Sequence, residues 1–531
     1  MLTLQRIAYA HPNKDLLFED LHLTINRQEK MALIGNNGTG KSTLLKIMAG
    51  RLTPTSGYVK ADVTPYYIPQ LFGQFNEHTI AQALGIEQKL QALKAILNGE
   101  VTEANMALLN DDWTIEERAA EALTHWQLDG LDLMQPMGML SGGQKTKVFL
   151  AGIAIHQPEI VLLDEPSNHL DLHSRTLLYN YIRSTSNTLV VVSHDRTLLN
   201  LLPAVCELSE RGIVRYGGNY DFYVEQKAIE EAALNEDLRS KEKALRKARE
   251  VARESLERQE KLDARGRKKQ EKAGLPTISM NTLRNNAEKS TARMKEVHTE
   301  KAGAISQEVS QLRKELPDKD KMKIGFDNAV LHKGKILLSA KDINYGYDGQ
   351  MLWKQPLTLE ITSGKRLAIK GANGAGKTTL IRIFLGLLQP LTGTLYRAEG
   401  LHTLYLDQDY SLINDHLSVY EQAQQFNTGQ LEEHEVKSRL THFLFTQAYW
   451  DKPCETLSGG EKMRLILCCL TISNQAPDMI VLDEPTNNLD LQNTEILTAA
   501  VNEYQGTIIV VSHDAYFLEQ IGVDESIELR T

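Results

Sequence analysis

The fold is decided by Gly35-Asn36-Asn37-Gly38-Thr39-Gly40-Lys41-Ser42, which recurs 336 residues later as Gly371-Ala372-Asn373-Gly374-Ala375-Gly376-Lys377-Thr378. Glycines at this spacing let the backbone curl until successive N–H groups face one anion, so the stretch predicts a phosphate-binding loop. Lys41 and Lys377 would reach the β- and γ-phosphates of a nucleotide, and the hydroxyls of Ser42 and Thr378 would hold Mg²⁺.

The residues around each loop support this interpretation. Ala32–Ile34 and Leu367–Ile369 are apolar runs typical of buried strands. Thr43 and Thr379 open helix-like runs, so the positive end of a helix dipole would face the phosphates in both copies.

An acidic pair follows a buried strand in both halves of the chain. Val161-Leu162-Leu163 runs into Asp164-Glu165, and Ile480-Val481-Leu482 runs into Asp483-Glu484. Asp164 and Asp483 at the strand ends would hold Mg²⁺, and Glu165 and Glu484 would polarise an attacking water. A helix cap is the alternative for such a pair, but the upstream phosphate loop in both halves favours catalysis.

A histidine and a glutamine keep their place in both copies. His194 and His513 each follow a strand and lie 30 residues after the strand-end aspartate, where we expect them to sense the γ-phosphate. Gln70 and Gln408 lie 29 and 31 residues after the loop lysines, and each is a candidate contact for Mg²⁺ and the attacking water.

A third repeated motif carries neither acid, base nor metal ligand. It reads Leu140-Ser141-Gly142-Gly143-Gln144 and Leu457-Ser458-Gly459-Gly460-Glu461, and a helix is predicted from each final residue onward, over 144–155 and 461–472. Its glycines expose backbone N–H groups at a helix start, which predicts an anion site without a lysine. Such a site makes sense if it covers a phosphate that another surface already holds.

The two copies occupy opposite ends of a chain whose middle has a different composition. The 531 residues carry a formal net charge of −10, yet Lys227–Lys323 contains 25 Lys and Arg against 18 Asp and Glu. No Phe, Tyr or Trp occurs between Val224 and Gly325. We predict three domains: copy one at 1–222, a basic linker at 223–322 and copy two at 323–531.

The basic linker predicts two long helices, over about 227–270 and 281–316, with a break at Gly274-Leu275-Pro276. Apolar residues at a three-four spacing would join them as an antiparallel hairpin. A solvated linker is the alternative. The basic residues cluster near the turn: Arg265, Arg267, Lys268, Lys269, Lys272, Arg284, Lys289 and Arg293.

Several classes of protein are excluded by composition. An overall acidic charge excludes a globally basic nucleic-acid binder, though not a local basic arm. Four cysteines without a CxxC pair do not predict a disulfide scaffold. No run approaches the roughly 18 apolar residues of a membrane span, and the N-terminus lacks the pattern of a signal peptide. We therefore expect a cytoplasmic protein.

Both copies resemble ATP-binding cassette (ABC) ATPase domains, because the Leu-Ser-Gly-Gly signature is specific to that superfamily. Two cassettes joined by a charged helical linker resemble the F subclass, the ribosome-associated ABC proteins. The subclass usually shows EPTNHLD, from which this chain departs at Ser167 in the first copy and at Asn488 in the second. Neither change removes a phosphate or metal contact.

The resemblance implies an α/β fold with two P-loop nucleotide-binding domains that pair head to tail around two ATP molecules. Each site would combine the loop, acidic pair, glutamine and histidine of one cassette with the signature of the other. An aromatic side chain upstream of each loop would stack on adenine: Tyr9 or His11 in the first copy, and Tyr345 or Tyr347 in the second, with Tyr9 and Tyr347 taken as the site residues.

The resemblance also implies a function and partners. In the subclass the linker reaches from the ribosomal tRNA exit site toward the peptidyl-tRNA and the catalytic centre, and contacts rRNA and tRNA. We expect a monomeric ATPase that modulates translation, with antibiotic resistance as one form of that function. The alternatives are the ATPase subunit of a transporter with separate membrane subunits and a DNA-metabolism ATPase.

Overall fold

The computed structural model describes residues 1–11, 16–209, 211–273, 277–315, 334–347, 349–473, 475–487 and 489–530. At 263, 266–273, 277–291, 294, 295, 314 and 315 it describes the backbone alone. The chain forms two compact units, Met1–Asp221 with Met322–Thr531 and Phe222–Lys321. The first unit contains both cassettes and the second the hairpin. The predicted α/β class with two cassettes and a helical insertion is confirmed, while the domain boundaries stay predictions.

The first cassette begins with an antiparallel sheet and continues into a mostly parallel one. Its strands are β1 (Leu2–Ala10), β2 (Leu16–Ile25), β3 (Lys30–Ile34), β4 (Ser56–Ala61), β5 (Tyr66–Ile68), β6 (Ile160–Asp164), β7 (Thr188–Val192), β8 (Val205–Ser209) and β9 (Gly212–Tyr216). Its helices are α1 (Lys41–Met48), α2 (Ile80–Ala83), α3 (Glu87–Leu97), α4 (Glu103–Leu109), α5 (Ile115–His125), α6 (Gly142–His156), α7 (Leu172–Ser184) and α8 (Arg196–Leu199).

Strand order explains where the site lies. The larger sheet runs β5-β6-β7-β3-β8-β9, and the first five of these strands pair in parallel. Strands β6 and β7 are buried along their whole length, as expected for a sheet covered on both faces. Because parallel strands end at one edge, the loop after β3, Asp164 at the end of β6 and His194 just after β7 share that edge.

The hairpin consists of α9 (Tyr220–Ala273) and α10 (Thr277–Glu315). At 1.5 Å per residue, α9 is about 80 Å long. Lys241 contacts Glu308 at 2.5 Å and Arg313 contacts Glu242 at 2.6 Å, so the helices run antiparallel.

Helix α9 starts seven residues before the predicted Lys227. The N–H of Asp221 donates to the side-chain oxygen of Asn200 at 2.9 Å and satisfies a donor that a helix start leaves open, a contact that spacing cannot predict. Helix α10 likewise starts at Thr277 and not at 281. In the predicted basic cluster, the side chains of Arg267, Lys268, Lys269, Lys272, Arg284 and Lys289 lie outside the described residues.

The second cassette repeats this plan. Its strands are β10 (Ile336–Asn344), β11 (Gly346–Tyr347), β12 (Gln350–Met351), β13 (Leu357–Thr362), β14 (Arg366–Lys370), β15 (Thr392–Arg397), β16 (Thr403–Leu406), β17 (Met479–Asp483), β18 (Thr507–Val511) and β19 (Glu525–Glu528). Its helices are α11 (Lys377–Phe384), α12 (Val419–Gln425), α13 (Glu433–His442), α14 (Gln447–Trp450), α15 (Gly459–Ile472), α16 (Leu491–Glu503) and α17 (Ala515–Gln520). The parallel sheet runs β16-β17-β18-β14-β19.

Each cassette has its own buried core. In the first, α1 packs on the parallel sheet through Leu44, Leu45 and Ile47, all at most 1% exposed. In the second, α11 repeats the contact through Leu380, Ile381 and Ile383. The phosphate loop therefore lies between two fixed elements, a buried strand and a buried helix. Across the described residues no helix is both long and apolar enough to cross a bilayer.

Candidate functional site

The phosphate loops have the same geometry in both cassettes. Gly40 precedes α1 with φ of 93°, and Gly376 precedes α11 with φ of 83°, which is left-handed backbone that glycine adopts without strain. Lys41 Nζ donates to the carbonyl oxygens of Gly35 at 2.7 Å and of Asn36 at 3.0 Å. Burial lowers the pKa of Lys41, so a phosphate at this position would relieve an unfavourable environment.

Lys377 repeats this contact pattern, with Nζ 2.9 Å from the carbonyl oxygen of Gly371 and 3.2 Å from that of Ala372. Its Nζ is also 3.2 Å from Nε2 of His513. Burial lowers the pKa of Lys377 as well.

The predicted metal ligands meet in both cassettes. Ser42 Oγ donates to Asp164 Oδ1 at 3.0 Å, and Thr378 Oγ1 donates to Asp483 Oδ2 at 3.2 Å. Burial raises the pKa of both aspartates. A hydroxyl beside a carboxylate is the hard oxygen pair that Mg²⁺ accepts when substrate phosphates supply further ligands.

Gln70 and Gln408 occupy different environments. Gln70 lines the cavity beside the first phosphate loop, whereas Gln408 is exposed two residues after β16. Of the other predicted contacts, Asn168 also lines this cavity, while Asn488 lies outside the described residues.

The predicted water-polarising carboxylate and γ-phosphate sensor are paired in the first cassette. The backbone N–H of His194 donates to Glu165 Oε2 at 3.3 Å, and His194 Nε2 lies 3.3 Å from Glu165 Oε1. Burial and the charge of Asp164 raise the pKa of Glu165 to about 8. Burial and Lys41 lower the pKa of His194 to about 3, so the imidazole is neutral at physiological pH.

The second cassette repeats this pair. The N–H of His513 donates to Glu484 Oε2 at 3.3 Å, and the two side chains are 3.3 Å apart. Glu165 and Glu484 adopt left-handed φ values of 52° and 51°. Backbone strain at the same position in both copies is typical of a functional site.

One oxygen of each glutamate is left for another group. Oε1 of Glu165 and Oε1 of Glu484 are buried and make no hydrogen bond within the part of the chain that the structure describes. A buried carboxylate oxygen without a donor is costly, so its retention favours a role toward a water or a ligand.

The signature helices begin at Gly142 and Gly459, two residues earlier than predicted, because Ser141 and Ser458 cap them. Each serine Oγ accepts from the N–H three residues on, and the side chain of Gln144 or Glu461 accepts from the serine N–H. This capping box fixes the exposed N–H groups of the helix start.

A cavity of about 400 Å³ joins the first phosphate loop to the second signature. Ser458 of the second cassette lines it together with these residues of the first: His11, Leu17, Asn37, Gly38, Gly40, Lys41, Ser42, Thr43, Gln70, Glu165, Asn168, Val192 and His194. The structure therefore brings the predicted loop, carboxylate, histidine and opposite signature to one place.

The converse side shows direct contact between the second loop and the first cassette. Asn373 Nδ2 donates to the carbonyl oxygen of His169 at 3.0 Å. That same oxygen would lie 2.6 Å from a Cβ atom added to Gly143, so the first signature packs closely against this segment.

The adenine candidates are placed unequally. His11 lines the cavity, whereas Tyr9 packs against Phe18 with ring centroids 6.3 Å apart. In the second cassette, Tyr347 is 53% exposed and its hydroxyl lies 3.2 Å from Thr379 Oγ1. Tyr345 lies edge-on to Tyr347.

Similarity to known proteins follows from this arrangement. A sequence profile of the ABC transporter family matches residues 18–168 and 354–487, which together exceed half of the chain. ABC transporter F family member 5 of Arabidopsis thaliana is 31% identical over 95% of this chain and 72% of its own length. The chain belongs to the F subclass of ATP-binding cassette proteins. It is therefore an ATPase.

Other relatives agree with this assignment. The Escherichia coli ATP-binding protein Uup is 29% identical to this ABC-F chain over 95% of the chain and 76% of Uup. The archaeal ribosome recycling factor aABCE1, solved with the ribosomal stalk protein aP1, superposes with a TM-score of 0.61 at 20% identity and covers 98% of this chain and 87% of that one. At that identity the likeness concerns the fold.

Two tyrosines of the ABC-F chain were missed by sequence reasoning. Tyr67 donates to Asp164 Oδ2 at 3.0 Å, and Tyr405 donates to Asp483 Oδ2 at 3.2 Å. A signal existed, because each tyrosine lies three residues before the candidate glutamine in its copy. Both hold the aspartate from the neighbouring strand, an arrangement that supports a metal ligand from behind.

Contacts that cross between cassettes were also missed. The N–H of Asn37 donates to Asp490 Oδ2 of the opposite cassette at 3.1 Å, and Arg175 Nη1 donates to the carbonyl oxygen of His513 at 3.3 Å. Only the pairing of the two cassettes brings these residues together, so spacing along the ABC-F sequence carries no signal for them.

Proposed function

We propose that this ABC-F ATPase holds two ATP molecules, each between the phosphate loop of one cassette and the signature helix of the other. The cavity that joins Lys41, Glu165 and His194 to Ser458 is the observation that carries this proposal. The contacts of Asn373 and Gly143 around His169 support the equivalent second site.

Within each site the residues divide the work. The loop N–H groups and lysine bind the β- and γ-phosphates, and the capped signature helix covers the γ-phosphate from the opposite side. Glu165 and Glu484 orient the attacking water through the buried Oε1 that has no other donor in the described chain. His194 and His513, adjacent to these oxygens, sense whether the γ-phosphate is present.

Mg²⁺ fits the oxygen donors of both sites. Ser42, Asp164 and Gln70 would hold it in the first site, and their equivalents in the second are Thr378, Asp483 and Gln408. When bound, the ion neutralises charge on the phosphates. Tyr67 and Tyr405 keep the aspartates in place from behind.

ATP completes each interface, so its binding closes the cassette pair and its hydrolysis opens it. Both halves of each site lie in one chain, and we therefore infer that a monomer is sufficient. Adenine would stack near His11 in the first site and on Tyr345 or Tyr347 in the second.

We further propose that closure controls binding to the ribosome in the cytoplasm. The hairpin lies at the tRNA exit site and extends toward the peptidyl-tRNA, where it modulates translation. Its excess of Lys and Arg and its lack of aromatic residues support contact with rRNA and tRNA phosphates and not base stacking. Membership of the ABC-F subclass supports the same partner.

Co-sedimentation tests this function. The Glu165→Gln/Glu484→Gln variant should bind ATP without turnover and pellet with ribosomes in ATP but not in ADP. Equal pelleting in both nucleotides would contradict ATP-controlled binding. Pelleting with DNA and not with ribosomes would favour a role in DNA metabolism, and recovery with a membrane complex would favour a transporter subunit.

The basic cluster is tested by charge reversal in that background. Changing Arg267, Lys268 and Lys269 to Glu should weaken ribosome pelleting and reduce the salt slope of log K by roughly 2 to 3, because about three counterions are no longer released. The matched control reverses Arg246, Lys247 and Arg249, which lie on α9 nearer the cassettes. Equal losses in cluster and control would contradict a specific RNA contact at the turn.

Antibiotic resistance is the narrower form of this proposal. Expression of the wild-type chain should raise the inhibitory concentration of a drug that binds the ribosomal catalytic centre, and the Ser141→Arg/Ser458→Arg variant should not. If no such drug is affected while ribosome binding persists, the function is that of a translation factor.

A further inference from the structure

The first cassette sends a buried guanidinium into the second ATP site. Arg175 lies on the first turns of α7, and its side chain is 9% exposed. Its Nη1 donates to the carbonyl oxygen of His513 in the second cassette at 3.3 Å. Its Nε donates to the carbonyl oxygen of Leu170 at 3.1 Å, which fixes the guanidinium in its own cassette. A charged donor held at one end and buried at the other is well placed to position its acceptor.

The acceptor belongs to the segment that carries the proposed γ-phosphate sensor. The N–H of His513 donates to Glu484 Oε2 at 3.3 Å, and its carbonyl oxygen accepts from Arg175. The backbone on both sides of the histidine is therefore held, once from its own cassette and once from the opposite one. The positive charge of Arg175 also acts on Glu484 and opposes the effect of burial on that carboxylate.

The first ATP site has no equivalent. Thr494 occupies the matching position on α16, four residues after Asp490 as Arg175 is four residues after Asp171. Its Oγ1 donates to the carbonyl oxygen of Asp490 at 2.9 Å, within its own helix. A threonine side chain carries no charge and is too short to repeat the contact.

A second arginine shows the same asymmetry. Arg196 Nη2 lies 3.1 Å from Glu495 Oε1 of the second cassette, and its guanidinium lies over the Tyr516 ring at 4.5 Å from the centroid. The matching residue in the second cassette is Ala515. The described contacts of these two arginines therefore run from the first cassette to the second.

We propose that Arg175 is a positioning residue that acts across the cassette interface on the second ATP site alone, so that the two sites hydrolyse ATP under different control. Arg175 holds the His513 segment only when the cassettes are closed, so hydrolysis by Glu484 depends on docking of α7. Hydrolysis by Glu165 does not depend on an arginine from the opposite cassette. This inference rests on the roles proposed above for Glu484 and His513.

Single-turnover hydrolysis with one working site tests the proposal. In the Glu165→Gln background only the second site hydrolyses, and there Arg175→Thr should lower the rate 10- to 100-fold with the ATP concentration for half-maximal rate changed less than threefold. In the Glu484→Gln background the same substitution should lower the rate less than threefold. Arg175→Lys should restore part of the rate, because one charged donor remains.

Arg183→Thr is the matched control, since Arg183 is an exposed arginine on the same helix. It should leave both backgrounds unaffected, and thermal unfolding should show that all variants are folded. Equal losses from Arg175→Thr in both backgrounds would overturn the proposal in favour of a general interface role, and no loss in either would overturn it outright. Hydrolysis that persists in the Glu165→Gln/Glu484→Gln variant would instead contradict the proposed bases.

Discussion

Gly143→Ala should impair the second ATP site far more than the same change at the equivalent Gly460. A Cβ atom at Gly143 would lie 2.6 Å from the carbonyl oxygen of His169, which is main chain and has no rotamer to escape into. A Cβ atom at Gly460 would lie 2.3 Å from Nδ2 of Asn493, the end of a side chain that can swing aside. The two substitutions are chemically identical and differ in what they meet.

The magnitude follows from two contacts of the His169 carbonyl. Relief of the clash must move the His169 segment by roughly 0.6 Å or more, and overpacking of this kind costs about 1–3 kcal/mol. The 3.0 Å hydrogen bond from Asn373 then exceeds hydrogen-bond distance, at a cost of about 1 kcal/mol. Together these costs amount to about 2–4 kcal/mol, part of which weakens folding and part of which weakens closure. We expect a loss of ATP turnover of at least tenfold.

Steady-state ATPase assays of the two single variants, with thermal unfolding of each in the absence of nucleotide, measure both parts. Gly143→Ala should lose at least tenfold in turnover and Gly460→Ala no more than about threefold. If the two variants lose the same activity, the close approach of the first signature to the His169 segment does not decide the function of the site.

Two further predictions concern the carboxylates. Tyr67→Phe with Tyr405→Phe should raise the Mg²⁺ concentration for half-maximal ATPase activity about tenfold or more, because each tyrosine holds a metal-binding aspartate, and an unchanged Mg²⁺ titration would contradict that role. Glu165→Gln should stabilise the nucleotide-free protein increasingly between pH 6 and pH 9. The pKa of Glu165 is raised from 4.5 to about 8, so the folded wild type binds a proton that the unfolded chain has lost and loses stability as pH rises through this range. A difference in melting temperature that shrinks with pH would show that Glu165 is ionised without cost.

The sequence predicted those parts of the site that lie at the ends of strands. Lys41, Asp164 and His194 follow three strands of one parallel sheet, so their meeting at one edge is a consequence of the fold class alone. The pairing of Ser458 with the first loop came from resemblance, because no feature of a single cassette indicates its partner.

The parts that could not be predicted depend on neighbours in space. Tyr67 supports Asp164 only because β5 lies beside β6 in the sheet, and strand order is not encoded in spacing. Arg175 resembles any helix arginine until the two cassettes are docked. Helix α9 starts at Tyr220 because Asn200, twenty-one residues before Asp221, caps it, and such a contact has no local signal.

The central claim is that each ATP site is built from both cassettes, and a photoreactive ATP analogue tests it most directly. The Glu165→Gln/Glu484→Gln variant should retain two nucleotides per chain after gel filtration, with label in both halves after proteolysis within the hairpin. Adding Ser458→Arg should remove the label from the half that contains Lys41 and leave the other half labelled, and adding Ser141→Arg should do the reverse. Loss of label from the same half that carries the substituted serine would contradict head-to-tail pairing.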